Sequence, residues 1–192
     1  MGKLTLITGG ARSGKSGFAE KLAVEHGGET VYMATAITFD AEMADRVRIH
    51  KSRRPASWET VEFPYGIPED PLPEEQCVFG ALEHADLILL DCITVLVSNI
   101  MLREIENWDD AGTREVERVR GKVLGQIDEI ARLAERYSAD VLIVTNEVGM
   151  GLVPPYPLGR AFRDFSGSAN QRLAEAAEAV YLCVAGIPVK IK

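Results

Sequence analysis

The sequence predicts an α/β domain of three layers with a mostly parallel central sheet. Short runs of apolar residues alternate along the chain with segments of helical periodicity. Strands without polar alternation are typical of a parallel sheet whose two faces are covered by helices. No segment repeats at a fixed period, and a length of 192 residues suits one hydrophobic core. We therefore expect a single domain over residues 1–192.

In the first half of the chain, glycines and prolines separate the predicted elements. The apolar run Leu4–Thr8 predicts a strand, and a helical pattern follows over Lys15–His26 until Gly27 and Gly28 end it. The next predictions are a strand at Thr30–Thr35, a helix at Asp40–Arg54 stopped by Pro55, and a short strand at Trp58–Phe63. Pro64–Gln76 has four prolines and several acids, which predicts a surface loop.

The second half continues the same alternation. LILLD at Leu87–Asp91 and VLIVT at Val141–Thr145 are typical of buried strands. The remaining predictions are a helix at Val95–Glu104, a long helix capped by Asn107 or Asp109 and running to Tyr137, a helix at Gly159–Ala177, and a strand at Val180–Val184 with Ile187–Lys192 closing a hairpin.

Composition excludes several functional classes. The formal net charge is −8 and the isoelectric point is near 5.0, which argues against general nucleic-acid binding. No apolar run approaches the ~20 residues of a membrane-spanning helix, and the first residues lack the pattern of a secretory signal. Three cysteines without CxxC spacing fit a reducing compartment. We therefore expect a cytoplasmic enzyme without a membrane span.

The strongest motif is GGARSGKS, which matches the phosphate-binding pattern G-x-x-x-x-G-K-[ST]. It stands between a predicted strand and a predicted helix, which is the context this motif requires and which indicates a P-loop NTPase domain. Its residues are Gly9, Gly10, Ala11, Arg12, Ser13, Gly14, Lys15 and Ser16. Glycines let backbone N–H groups approach phosphate oxygens, and Lys15 would reach the β- and γ-phosphates. The alternative is a glycine-rich turn that matches by chance.

Besides the loop itself, such a site normally has an acidic residue near Mg²⁺. Asp91 closes an apolar strand and is the candidate, with the Ser16 hydroxyl as the other protein ligand. Asp140 precedes its strand and therefore lies at the wrong end of the sheet. Asp91 has an alternative role as the cap of the helix that follows it.

The segment Asp40–Arg54 concentrates basic residues in an acidic protein. At helical spacing, Arg46, Arg53 and Arg54 share one face with His50. Neighbouring cations disfavour the imidazolium form and attract phosphates, so a neutral His50 could act as a nucleophile toward phosphorus. The alternative is a solvated basic helix face. His26 and His84 lack such surroundings.

Taken together, these motifs resemble the bifunctional adenosylcobinamide kinase / adenosylcobinamide-phosphate guanylyltransferase family of cobalamin biosynthesis. The resemblance runs nearly end to end. Its most specific blocks are DAEMADRVRIHKSRRPASWETVE at Asp40–Glu62 and VTNEVGMGLVP at Val144–Pro154; the other blocks are ITGGARSGKS, YMATA, LLDCITVLVSN, RAFRDFSG, ANQRLAEAA and VAGIPVKIK. The sequence departs from the family at Ser168, where a basic residue is usual, and over Phe63–Gln76.

The resemblance implies two reactions: NTP-dependent phosphorylation of adenosylcobinamide, then GMP transfer from GTP to the resulting phosphate through a guanylylated histidine. His50 matches that histidine. The resemblance also implies ATP and GTP as substrates, Mg²⁺, a homotrimer, and guanine-nucleotide contacts from Ala34, Thr35, Ala36, Lys51, Ser52, Arg53, Arg54 and Glu62. Asn146, Glu147, Arg160 and Arg163 are weaker polar candidates. The rival functions are a simple small-molecule P-loop kinase and an NTP-binding switch or assembly ATPase.

Overall fold

A seven-stranded sheet forms the centre of the molecule. The computed structural model describes residues 2–37, 54–68 and 76–192. The strands are β1 (Leu4–Gly9), β2 (Thr30–Ala34), β3 (Glu59–Glu62), β4 (Leu87–Asp91), β5 (Asp140–Val144), β6 (Ala179–Val184) and β7 (Ile187–Lys190). Their order across the sheet is β3-β2-β4-β5-β1-β6-β7, and among them the β6–β7 pair alone is antiparallel. The predicted α/β class with a mostly parallel sheet is confirmed.

Helices cover both faces of this sheet. They are α1 (Lys15–His26), α2 (Gln76–Glu83), α3 (Ile93–Glu104), α4 (Thr113–Ala131), α5 (Leu133–Tyr137) and α6 (Pro157–Ala176). Successive strand residues point to opposite faces, so Leu6 joins one apolar cluster and Ile7 joins the other. The larger cluster packs α3, α4 and α6 on the sheet, and the smaller one packs α1 through Ala19 and Ala23. The predicted three layers follow from this packing.

The strand register brings the carboxyl ends of neighbouring strands, and the polar residues found there, to the same edge of the sheet. Ala34 at the end of β2 pairs with Glu62 of β3 and with Asp91 of β4, and Asp91 pairs with Val144 of β5. With ~4.8 Å between neighbouring strands, the Glu62 and Asp91 backbones lie roughly 10 Å apart. Ligands of open parallel sheets bind at this carboxyl edge. Asp140 lies at the opposite edge, as predicted.

The long helix predicted to end at Tyr137 is two helices, and its predicted caps are wrong. Helix α4 begins at Thr113 after Gly112, and the chain departs from it at Arg132 before α5. The Asn107 side chain accepts from the Asp109 N–H at 3.1 Å and donates to Asp110 at 2.7 Å. Asn107 therefore closes a local turn, a conformation that competes with helix for short polar residues.

The described start of the proline-rich segment, residues 64–68, is anchored more firmly than a surface loop. Phe63 and Ile67 are each 5% exposed and belong to the larger apolar cluster. The Gln126 side chain of α4 accepts from the Ile67 N–H at 2.7 Å and donates to its carbonyl at 3.0 Å. The segment ends in helix α2, which the sequence did not predict. Helices α3 and α6 each begin two residues earlier than predicted, at Ile93 and Pro157.

The predicted helix Asp40–Arg54 lies outside the described residues except for Arg54. No helix in the described part of the chain has the length and apolar character needed to cross a bilayer.

Candidate active site

The phosphate loop joins β1 to α1 at the carboxyl edge of the sheet. Gly9 and Gly14 have φ of 151° and 91°, backbone conformations that side chains rarely adopt. A Cβ at Gly9 would come within 2.5 Å of the Cys183 carbonyl oxygen. The Gly186 N–H, in the β6–β7 turn, donates to the Ser13 carbonyl at 3.0 Å. The glycines are therefore required both by backbone conformation and by packing against the chain end of β6.

Lys15 is the buried cation of this loop. Its residue is 7% exposed, and its Nζ donates to the Gly10 carbonyl at 2.9 Å. Burial lowers the pKa of Lys15, whereas the negative charge of Asp91 acts in the opposite direction. The ammonium group thus lies across the loop backbone, where the N–H groups of a phosphate loop converge on an anion.

Asp91, Tyr32 and Arg54 form a chain of contacts beside the loop. The Tyr32 side chain lies near the Asp91 carboxylate, and burial together with this charge raises the pKa of Tyr32. The Arg54 guanidinium lies 3.2 Å from the centroid of the Tyr32 ring, and its Nε is 4.0 Å from Glu20 Oε1 of α1. The alternative role of Asp91 as a helix cap is wrong: the residue at that position is Cys92, without a side-chain capping bond.

A buried network holds the ends of β2, β3 and β4 together. Thr35 Oγ1 donates to the Cys92 carbonyl and accepts from its N–H, both at 2.9 Å. Asn99 Nδ2 donates to the Thr35 and Pro64 carbonyls at 2.8 Å each. Thr35 was predicted to contact nucleotide, but its side chain is occupied in this network. Sequence reasoning missed Asn99, because the backbone carbonyls to which it donates belong to residues distant in sequence.

A second network fixes the segment between β5 and α6 beside the phosphate loop. Thr145 donates to Asn170, whose amide donates to the Asn146 carbonyl at 3.0 Å, and the Asn146 amide donates to Thr94. The Glu147 N–H donates to the Gly9 carbonyl at 3.0 Å. Asn146 and Glu147, predicted only as weak candidates, therefore position the segment that follows β5 against the loop.

The other predicted contact residues are distributed around this edge. Ala34 and Ala36 are partly exposed, and Glu62 is exposed on a cavity of about 810 Å³ that Tyr65, Arg103 and Gln126 also line. Arg160 donates to the Pro155 carbonyl at 2.7 Å and, with Arg163, lines a second cavity. His50, Lys51, Ser52 and Arg53 lie outside the described residues.

The described residues include no group of three or more His, Cys, Asp or Glu side chains that could hold a metal ion. A divalent cation at this edge would therefore be coordinated by few protein ligands. That is the usual arrangement for Mg²⁺, which takes one or two protein oxygens and completes its shell with phosphates and water.

Comparison with known proteins identifies the family. The model of the family described as "Cobinamide kinase / cobinamide phosphate guanyltransferase" matches residues 5–191. The chain belongs to this family. The bifunctional adenosylcobalamin biosynthesis protein CobU of Salmonella typhimurium is 42% identical to this chain, and the match covers 98% of this chain and 99% of the CobU sequence.

Two further relatives show the same extent of similarity. CobU of Escherichia coli is 38% identical over 98% of this chain and 99% of its own, and CobP of Pseudomonas aeruginosa is 36% identical over 97% and 96%. Both are described as bifunctional adenosylcobalamin biosynthesis proteins. Among solved structures, the RadB recombinase covers 94% of this chain and 73% of its own at 16% identity and a TM-score of 0.42.

Proposed function

We propose that this enzyme phosphorylates adenosylcobinamide with a nucleoside triphosphate and then transfers GMP from GTP to the phosphate, which yields adenosylcobinamide-GDP and pyrophosphate. The observation that carries the proposal is the phosphate loop with its buried Lys15 next to Asp91, in a chain that matches its family from end to end. The assignment of both reactions to this chain rests on its membership of the family.

In the kinase step, the loop N–H groups and Lys15 hold the β- and γ-phosphates of the nucleotide. Lys15 exchanges its bond to the Gly10 carbonyl for a phosphate oxygen. The aminopropanol hydroxyl of adenosylcobinamide attacks the γ-phosphorus, the bond to the β-phosphate oxygen breaks, the nucleoside diphosphate leaves, and the hydroxyl proton passes to solvent. The loop stabilises charge on the transferring group and on the departing diphosphate.

The residues at this edge fit Mg²⁺. Ser16, in the first turn of α1, and Asp91, at the end of β4, are both half-buried residues. Oxygen donors of this kind suit Mg²⁺, which when bound neutralises phosphate charge.

In the second step, His50 is the nucleophile. A neutral imidazole nitrogen attacks the α-phosphorus of GTP, a P–N bond forms, pyrophosphate leaves and the imidazole proton passes to solvent. A phosphate oxygen of adenosylcobinamide phosphate then attacks the same phosphorus, the P–N bond breaks, and the histidine is regenerated. Arg54, four residues after His50, is stacked on Tyr32 near Asp91, and this contact of the last residue of the basic segment supports the proposal.

The remaining nucleotide contacts come from residues at or near the same edge of the sheet. Lys51, Ser52, Arg53 and Arg54 suit phosphate oxygens, whereas Glu62 is an acceptor for guanine N–H groups or ribose hydroxyls. Ala34 and Ala36 offer backbone groups at the end of β2. We further propose a cytoplasmic homotrimer that uses ATP and GTP and binds no nucleic acid. The thiols of Cys92 and Cys183, buried and unpaired, are consistent with a reducing compartment.

A two-stage product assay tests the proposal. The enzyme is first incubated with adenosylcobinamide, ATP and Mg²⁺, and GTP is added afterwards. The corrinoid products of each stage are separated and identified by mass spectrometry. We expect adenosylcobinamide phosphate first, then adenosylcobinamide-GDP with one pyrophosphate per product. Phosphorylation without the second product would indicate a simple kinase. Nucleotide hydrolysis without any new corrinoid would indicate an NTP-driven switch.

A further inference from the structure

Asn146 follows β5 and lies between the two parts of the site that the kinase step uses. Strand β5 is placed between β1, which leads into the phosphate loop, and β4, which ends at Asp91. Val144, the last residue of β5, pairs with Ile7 of β1 on one side and with Asp91 on the other. Two residues beyond Val144, the chain has reached the carboxyl edge of the sheet.

The backbone of Asn146 is fixed beside the phosphate loop. The Glu147 N–H donates to the Gly9 carbonyl at 3.0 Å, so the chain continues alongside β1 as far as the first residue of the loop. The Asn146 carbonyl accepts from the Asn170 amide of α6, also at 3.0 Å. The position of Asn146 is therefore set by contacts on both of its sides.

The side-chain amide of Asn146 has a defined orientation. Its Nδ2 donates to Thr94 Oγ1, in the first turn of α3, and lies 4.0 Å from the Cys92 sulfur. Thr94 is 3% exposed, and its Oγ1 is 3.4 Å from the same sulfur. Because the amide is planar and its Nδ2 is held by Thr94, the Oδ1 atom is directed away from Thr94.

The Oδ1 atom of Asn146 is an accessible acceptor. It accepts no hydrogen bond from the described residues, and it is not one of the buried side-chain atoms without a partner. Asn146 as a whole is half-buried, so this oxygen retains accessible surface. Since Nδ2 is occupied by Thr94, the side chain offers a ligand an acceptor and no donor.

The chemistry of the acceptor limits which group can bind it. Phosphate oxygens of a nucleotide are themselves acceptors and carry negative charge, so Oδ1 makes no favourable contact with them. The hydroxyl that attacks the γ-phosphorus is a donor, and it approaches in line with the departing diphosphate. Water bound to Mg²⁺ near Asp91 is the other donor expected at this edge.

Resting on the proposed function, we infer that Asn146 is a catalytic residue of the kinase step, whose Oδ1 accepts a hydrogen bond from the attacking hydroxyl and orients it toward the γ-phosphorus. The hydroxyl oxygen forms the new bond to phosphorus, the bond to the β-phosphate oxygen breaks, and the nucleoside diphosphate leaves. Asn146 takes up no proton, and the hydroxyl proton passes to solvent. Thr94 is a positioning residue, because it holds the amide.

The hydrogen bond to Oδ1 should stabilise the transition state more than the bound substrate. The attacking hydroxyl becomes more acidic as its oxygen bonds to phosphorus, so its hydrogen bond strengthens during the reaction. An interaction of this kind raises kcat and leaves the binding of the nucleotide unchanged. It also favours the hydroxyl over water as the group that receives the phosphoryl group.

The test compares Asn146→Leu, Asn146→Asp and Thr94→Val with the control Asn170→Ala. Asn146→Leu keeps the approximate size of the side chain and removes the acceptor, whereas Asn146→Asp keeps an oxygen acceptor. Asn170→Ala loosens the same segment through the Asn146 carbonyl without changing the side chain of Asn146. For each variant we measure kcat, the Kd for ATP, the Mg²⁺ concentration for half-maximal activity and the melting temperature. We also measure the coupling, defined as adenosylcobinamide phosphate formed per ATP consumed.

We expect kcat of Asn146→Leu to fall by about 10- to 100-fold, as for a misplaced reacting group, with an unchanged Kd for ATP. The coupling should fall as well, because water competes with a hydroxyl that is no longer oriented. Thr94→Val should lower kcat and coupling in the same direction by a smaller factor. Asn146→Asp should keep the coupling of the wild type, and so should Asn170→Ala.

Four results would overturn the inference. Wild-type kcat and coupling in Asn146→Leu would do so and leave the proposed function intact. Equal losses of kcat and melting temperature in Asn146→Leu and Asn170→Ala, with coupling intact in both, would make Asn146 a structural residue only. A higher Mg²⁺ requirement of Asn146→Leu without loss of coupling would assign Oδ1 to a water molecule bound to Mg²⁺. If the wild type forms no adenosylcobinamide phosphate, the proposed function and the inference fail together.

Discussion

At the scale of single residues, the buried ammonium of Lys15 is the group on which the kinase step depends. Lys15→Ala removes a preorganised cation from the loop and leaves the apolar clusters unaltered. We expect kinase turnover to fall by about 10²- to 10³-fold, as for the loss of one charge-stabilising donor. Turnover is measured with adenosylcobinamide and ATP, and circular dichroism checks the fold.

Lys21→Ala is the matched control for this variant. Lys21 lies on the same helix, is exposed, and pairs with Glu25 at 3.6 Å. Its removal should leave turnover close to that of the wild type, since an exposed substitution changes little. If Lys15→Ala retained native turnover, the assignment of the phosphate loop to the kinase step would be wrong.

Asp91 is the residue expected to set the dependence on Mg²⁺. Asp91→Asn keeps the size of the side chain and one oxygen acceptor but removes the negative charge. The Mg²⁺ concentration for half-maximal activity should therefore rise by more than about tenfold. Asp86→Asn, at the other end of the same strand, should titrate like the wild type, because Asp86 contacts the Glu29 backbone there. Equal Mg²⁺ curves for Asp91→Asn and the wild type would exclude Asp91 as a ligand.

The residues of the site differ in how far the sequence could predict them. The phosphate loop and Asp91 have local signals, a motif and a strand end, and both lie at the carboxyl edge of the sheet. Asn99 and Asn170 have none, because their partners are 64 and 24 residues distant in sequence. The Tyr32–Arg54 stack likewise depends on the fold, which brings the end of the basic segment over β2.

At the scale of elements, Glu104 joins the end of α3 to α4. Its carboxylate accepts from Lys122 at 2.8 Å and from Arg118, and these bonds lower the pKa of Glu104. Glu104→Gln should lower the melting temperature by about 1–4 °C at pH 7, because a partly exposed pair contributes ~0.5–1 kcal/mol. Differential scanning calorimetry measures this change, with the exposed Glu25→Gln as a control.

The pH dependence of this stability has a definite sign. The folded pKa of Glu104 lies below the value of 4.5 for the free side chain. The contribution of the carboxylate is therefore complete above pH 4.5 and is lost as the pH falls through the folded pKa. The difference in melting temperature between wild type and Glu104→Gln should shrink over that acidic range. A difference that grows as the pH falls would contradict the assignment.

At the scale of the whole molecule, the sequence predicted the layers but not the order of the strands. Apolar strands and intervening helices are local patterns, whereas the neighbours of β1, which are β5 and β6, depend on long-range packing. The anchoring of Ile67 by Gln126 was missed for the same reason, since the two residues are 59 positions apart. The turn at Asn107 is local, and there the side chain bonds within its own turn instead of capping a helix. Local patterns thus predicted most elements, and tertiary contacts decided most of the exceptions.

The association state is the prediction that belongs to this scale. Ile187, Val189 and Ile191 expose apolar side chains along the edge of the sheet at β7, and such an edge favours association. Sedimentation equilibrium should give three times the chain mass of 21.0 kDa. A mass of one chain at all concentrations would contradict the proposed homotrimer.

The central claim is that one chain uses Lys15 for phosphoryl transfer and His50 for guanylyl transfer, and the intact mass of the protein after incubation with GTP and Mg²⁺ tests it most directly. The wild type should gain one GMP, in a bond that is labile to acid and comparatively stable to base, as for phosphoramidates. His50→Ala should gain none and retain kinase turnover.

The other two histidines are the controls in the same experiment. His26 lies 3.4 Å from Asp140 at the opposite edge of the sheet, and His84 is exposed before β4. His26→Ala and His84→Ala should therefore take up GMP like the wild type. An undiminished GMP adduct on His50→Ala would contradict the account and assign the guanylyl group to another residue.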